Sequence, residues 1–135
     1  MNKLIIFCCY FAISINAMAT SPTQGFPAYA EEMLTSYQGK VYNGTNLDRV
    51  VTQFYLDQEG LLNGNYVINE EGNEEKGILY NATQETPALY SFSWKDKYGT
   101  GKVSFLFSSD YRLFEGFWGT EATSKLYIWR GQQIQ

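Results

Sequence analysis

The chain of 135 residues has no histidine, three prolines and two cysteines. Without histidine it lacks the commonest general base and a leading metal ligand, and no Ser-His-Asp arrangement can be built. Cys8 and Cys9 fall in one apolar run near the N-terminus. Beyond it there is no thiol nucleophile and no disulfide, so the fold must rest on its core. Basic side chains are in the minority, 10 against 14 acidic, for a formal net charge of −4. That balance argues against nucleic acid or an anionic membrane as partner, since both need a basic face. Phosphate-binding, dinucleotide-binding and G-x-S-x-G patterns are missing too. No catalytic residue, metal ligand or cofactor is therefore assigned, and the chain is read as a non-enzyme.

Long apolar runs are equally scarce. The longest, Leu4 to Ile15, is broken only by Ser14; it follows the cationic start Met1-Asn-Lys3 and precedes Ala17-Met-Ala19. This is the pattern of a cleaved secretory signal peptide over residues 1–19, with Thr20 first in the mature chain. The run is well short of the roughly 20 residues that a membrane-spanning helix needs. A secreted or periplasmic location is expected, with no span left after cleavage. The remaining 116 residues carry nine basic and fourteen acidic side chains and suit a single domain.

What is abundant is the aromatic ring. Of 11 tyrosines, nine phenylalanines and three tryptophans, all but Phe7, Tyr10 and Phe11 lie beyond the leader. They recur with period two. Tyr90, Phe92 and Trp94 alternate with serines and Lys95; Val103, Phe105 and Phe107 with Lys102, Ser104 and Ser108; Phe114, Gly116 and Trp118 with Leu113, Glu115 and Phe117. Successive side chains of a strand point to opposite faces, so these segments read as strands with their rings on one face. The stretch 49–57 alternates likewise, Val50, Thr52, Phe54 and Leu56 against Val51, Gln53, Tyr55 and Asp57.

Further strands are expected at 39–43, 61–68, 76–82 and 125–130, with turn chemistry between neighbours. Gly64 marks a bulge or a close backbone approach. The acidic stretch Asn69 to Glu75 reads as a solvated hairpin tip in preference to a calcium loop, since it lacks the spaced ligand ladder of one. The sequons Asn43-Gly-Thr45 and Asn81-Ala-Thr83 are left without a role. Residues 20–38 form an N-terminal lead in which Ala28 to Tyr37 can make one or two helical turns. About eight short strands at even spacing imply an all-β antiparallel domain over 39–131. A single up-and-down barrel is preferred to a sandwich, because the connections are short and closure removes exposed edges.

Five short segments carry a resemblance: Gly39-Lys-Val-Tyr-Asn43, Glu59-Gly-Leu-Leu-Asn-Gly-Asn-Tyr66, Ser93-Trp-Lys-Asp-Lys-Tyr98, Phe114-Glu-Gly-Phe-Trp118 and Leu126-Tyr-Ile-Trp129. Together they resemble the avidin and streptavidin family and, more broadly, small exported bacterial meander barrels. The resemblance implies a barrel that holds a ligand in its mouth. It puts Asn43 and Tyr66 on positions that bond the ureido oxygen of biotin. Trp94 and Trp129 fall on two pocket tryptophans, and Phe114 replaces a third pocket aromatic. Two of the family's serines fall on Val50 and Ile68, and the final family segment has no counterpart after Trp129. The implied ligand is accordingly less polar than biotin.

The expectation is a binding protein that takes a small apolar or planar ligand at Asn43, Tyr66, Trp94, Phe114 and Trp129. An alternative is an exported adhesin or inhibitor that meets an extracellular protein through outer aromatics such as Tyr55, Tyr80 and Phe117. A carboxylate hydrolase is a third reading, weakened because only Glu115 is expected within a strand, facing away from Phe114 and Trp118.

Overall fold

Alternation every second residue can bury one face of a strand only if the sheet wraps around that face, and here it closes on itself. The computed structural model describes residues 30–122 and 126–134. The expected leader over 1–19 and the first part of the lead lie outside them. Eight strands follow in order: β1 (Ser36–Tyr42), β2 (Leu47–Leu56), β3 (Leu62–Glu70), β4 (Asn73–Gln84), β5 (Leu89–Asp96), β6 (Gly99–Phe107), β7 (Leu113–Thr120) and β8 (Tyr127–Gln133). Each pairs antiparallel with the next, and β8 returns to pair with β1, giving an up-and-down barrel. Closure gives every strand two neighbours and leaves no open edge.

The faces are as the alternation requires. Along β2, Val50, Thr52 and Phe54 are buried while Val51, Gln53 and Tyr55 face out. Tyr90, Phe92 and Trp94 on β5 and Val103, Phe105 and Phe107 on β6 are buried too. Leu56, expected inside, is exposed at the end of its strand.

The N-terminal segment departs from the helical expectation. Among the described residues it holds a single 3-10 turn, Glu31–Met33, and β1 begins at Ser36. Tyr37 is thus a strand residue, and the barrel starts three positions before Gly39. The strand wins because it completes the cylinder: Tyr37 pairs with Thr52 on one side and Gln133 on the other. A helix of this length has no such tertiary support. No helix among the described residues is long and apolar enough to cross a membrane.

Gly64 marks close approach, not a bulge, since a Cβ there would lie 2.8 Å from the Gln53 carbonyl oxygen. The bulge is instead in β4, between Tyr80 and Thr83, with Asn81 at φ 53°. The acidic tip is a two-residue turn, Glu71-Gly72, with both residues at positive φ (52° and 90°). That is the hairpin geometry whose twist matches the flanking strands.

The two ends of the barrel are filled differently. At the end bearing the β2–β3, β4–β5 and β6–β7 connections, Phe54 meets Tyr37, Phe92, Phe105, Phe107 and Phe114 at ring separations of 5.5–6.1 Å. Met33, fully buried, belongs to the same cluster. Tyr37 donates to the Tyr111 carbonyl (2.6 Å), and Tyr111 donates to the Pro87 carbonyl (3.0 Å), which ties these loops together. This end is plugged. The other end is not.

Candidate functional site

The open end carries the β1–β2, β3–β4 and β5–β6 hairpins. Within it lies a cavity of about 470 Å³, inside the range typical of small-molecule sites. Its deep walls are Tyr66, Trp94, Trp118 and Trp129, with Val41 and Ile68 between them, and its rim includes Asn43, Glu70, Asp96 and Tyr98.

Two of the large rings are seated on glycines of the neighbouring strand. Tyr66 on β3 pairs with Gly77 on β4, and Trp94 on β5 pairs with Gly101 on β6. A Cβ at Gly77 would lie 2.0 Å from the Tyr66 ring, and one at Gly101 would lie 2.6 Å from the Trp94 indole nitrogen. Only a residue without a side chain lets a ring lie flat against the facing backbone. The rings also brace one another. Tyr66 meets Trp129 edge-on at 4.9 Å, Trp94 meets Trp118 at 5.5 Å and Phe105 meets Trp129 at 5.1 Å, so Trp129 links the filled half to the cavity.

Every deep polar atom has an internal partner. The indole N–H groups of Trp94, Trp118 and Trp129 donate to the Gly119 carbonyl, the Tyr42 carbonyl and Thr52 Oγ1, each at 3.0 Å. The Tyr66 hydroxyl donates to Asp96 Oδ2 at 2.7 Å. Buried donors must be paired, and pairing them within the wall fixes each ring and turns its apolar surface to the cavity.

Burial, reinforced by the bond to Asp96 and its charge, holds the Tyr66 phenol well above the ordinary tyrosine range. Burial likewise pushes Tyr37 up to about 12. A phenol raised in the folded state stabilises it fully below its unfolded value near 10, and that stability is lost as pH rises beyond it. The denaturant midpoint is therefore expected to fall from about pH 10 upward, with tyrosinate absorbance appearing together with unfolding. Tyr66→Phe should make the fall shallower; an unchanged slope would show that Tyr66 ionises freely while folded.

Four of the residues singled out in the sequence, Asn43, Tyr66, Trp94 and Trp129, line this cavity. Asn43 does so with its amide already engaged: Oδ1 accepts the N–H groups of Thr45 (2.8 Å) and Asn46 (2.7 Å), and Nδ2 donates to Asp48 (2.8 Å). It shapes the β1–β2 loop. Phe114 is elsewhere. It packs in the plugged half, 5.2 Å from Tyr37 and 4.8 Å from Phe105, and is not part of the lining.

The aromatic that β7 contributes to the cavity is Trp118, on the same face four residues on. At about 3.3 Å per residue, that is roughly 13 Å farther along the strand toward the mouth. Asp96 and Glu70 also went unread, because the strands run farther into the acidic stretches than alternation suggests. Asp48, Glu70, Glu74, Glu75 and Asp96 lie within strands alongside Glu115. The outer aromatics Tyr55, Tyr80 and Phe117 lie on β2, β4 and β7, which are not neighbours in the cylinder and form no single patch. Among the described residues no three histidine, cysteine or acidic side chains come together as a metal site would need.

Comparison with protein-family models, with curated proteins and with solved structures found no match.

Proposed function

We propose that this protein is an exported, non-catalytic barrel that holds a small apolar or planar ligand in the open mouth. The observation that carries the reading is the contrast between the two halves. One half is packed with rings from strand to strand, whereas the other leaves about 470 Å³ open among equally large rings. Core packing favours filling such space, and a hollow braced by glycine seats and satisfied indoles is a pre-formed site. The avidin-like segments support the same architecture.

The test is a cavity-filling variant. Ile68 is half-buried and lines the cavity, so Ile68→Trp adds volume there while leaving the plugged half alone. N-phenyl-1-naphthylamine, a neutral planar probe that brightens in apolar surroundings, is expected to bind the parent protein. In Ile68→Trp its affinity should drop about 100-fold, close to 2.7 kcal/mol. Equal binding by both proteins, or none by the parent, would overturn the proposal. Turnover of an aryl glycoside that disappears in Glu70→Gln would replace it with the carboxylate-hydrolase reading.

A further inference from the structure

We propose that the mouth cavity selects a cation: an organic amine or quaternary ammonium group carried on a flat apolar body. The inference rests on the ligand-binding reading above and adds the charge of the ligand. Its basis is the sign of everything that a guest would meet. Among the described residues the lining carries two carboxylates, Asp96 and Glu70, and no lysine or arginine.

Asp96 closes β5 at the rim, where Oδ2 accepts the Tyr66 hydroxyl and Oδ1 accepts the Tyr98 N–H (2.9 Å). Each oxygen keeps a further lone pair. Glu70 closes β3 and lines the same rim. A polar groove beside the mouth adds Asp48, Glu71 and Glu75, and the one described lysine lining it, Lys97, is bound to Glu75. An acidic rim around an apolar cleft attracts cations and repels anions.

The donor inventory points the same way. An anion or a carbonyl needs N–H or O–H groups aimed at it. Three indole N–H groups, the Tyr66 hydroxyl and one N–H of the Asn43 amide are spent inside the protein. The donors that remain, on Asn43, Thr45, Asn46 and Tyr98, belong to residues exposed at the rim. A ligand that brought its own acceptor into the cavity would leave it unpaired. A cation has no such need, because ring faces carry the negative lobe of the aromatic quadrupole and bind quaternary ammonium groups directly.

The experiment is a calorimetric titration with three probes of one body and different charge: (2-naphthylmethyl)trimethylammonium, 2-naphthylmethanol and 2-naphthylacetate. The cation is expected to bind at least about tenfold more tightly than the alcohol, with the acetate weakest, and the gap should narrow as salt screens the carboxylates. Asp96→Asn should close most of that gap. If the loss of its charge disturbs folding, Glu70→Gln gives the same readout from the other carboxylate. Binding of the alcohol or the acetate as tight as that of the cation would overturn the selectivity and leave the cavity reading intact, provided Ile68→Trp still abolishes it. No binding by any of the three would overturn both.

Discussion

Phe105→Ala is expected to lower the folding stability of the barrel by about 3–5 kcal/mol, the usual cost of emptying a fully packed phenylalanine site. Phe105 is fully buried on β6 and has rings on all sides: Phe54 at 5.5 Å, Phe92 at 5.8 Å, Phe114 at 4.8 Å and Trp129 at 5.1 Å. It leans against Gly116 of β7, where a Cβ would come within 2.7 Å of its ring. No small rotation of these neighbours fills the void, because each is itself held by others. At roughly 4–8 °C per kcal/mol for a domain of this size, the melting temperature should fall by more than 10 °C. Leu106→Ala is the control. Its side chain is about half exposed on the outer face, and the change should stay within about 0.5 kcal/mol. Similar losses at the two positions would mean that the alternating rings do not converge on one interior.

Gly39→Ala should be nearly as damaging, although it adds a single methyl group. The reason is where that group would go. Gly39 pairs with Gly131 across the seam between β1 and β8, and its Cβ would fall 1.9 Å from the Arg130 carbonyl oxygen. The obstacle is backbone, so no side chain can swing aside. The strands must separate at the one ladder that turns an eight-stranded sheet into a cylinder. A loss of about 3 kcal/mol, the upper end for overpacking, is expected in denaturant unfolding. Amide exchange should accelerate in β1 and β8 before the other strands. Full stability in Gly39→Ala would rule out this seam geometry.

These two positions show what could be read in advance. Phe105 was legible as an inward ring because Val103, Phe105 and Phe107 alternate with polar neighbours on a two-residue period. Gly39 was not, since a glycine in a strand announces a close approach without naming its partner. The same holds for Gly77 and Gly101, the seats of Tyr66 and Trp94: each partner comes from a different strand, through a register that local pattern does not contain. The 3-10 turn in place of the expected helical turns has a similar cause. Tyr37 joins β1 because two neighbouring strands, distant in sequence, offer it ladders.

Trp118 and Phe114 draw the line between the two kinds of information. Both point inward from β7, and a period of two assigned that direction from the sequence alone, while turn residues between the segments gave a tally of about eight strands. Whether an inward ring plugs the barrel or lines its mouth is a question of height along the cylinder. Height is set by the stagger of each ladder against the next and by the closure of β8 on β1. Alternation is a property of one strand and survives in the sequence. Depth is a property of all eight together, and only the folded cylinder defines it.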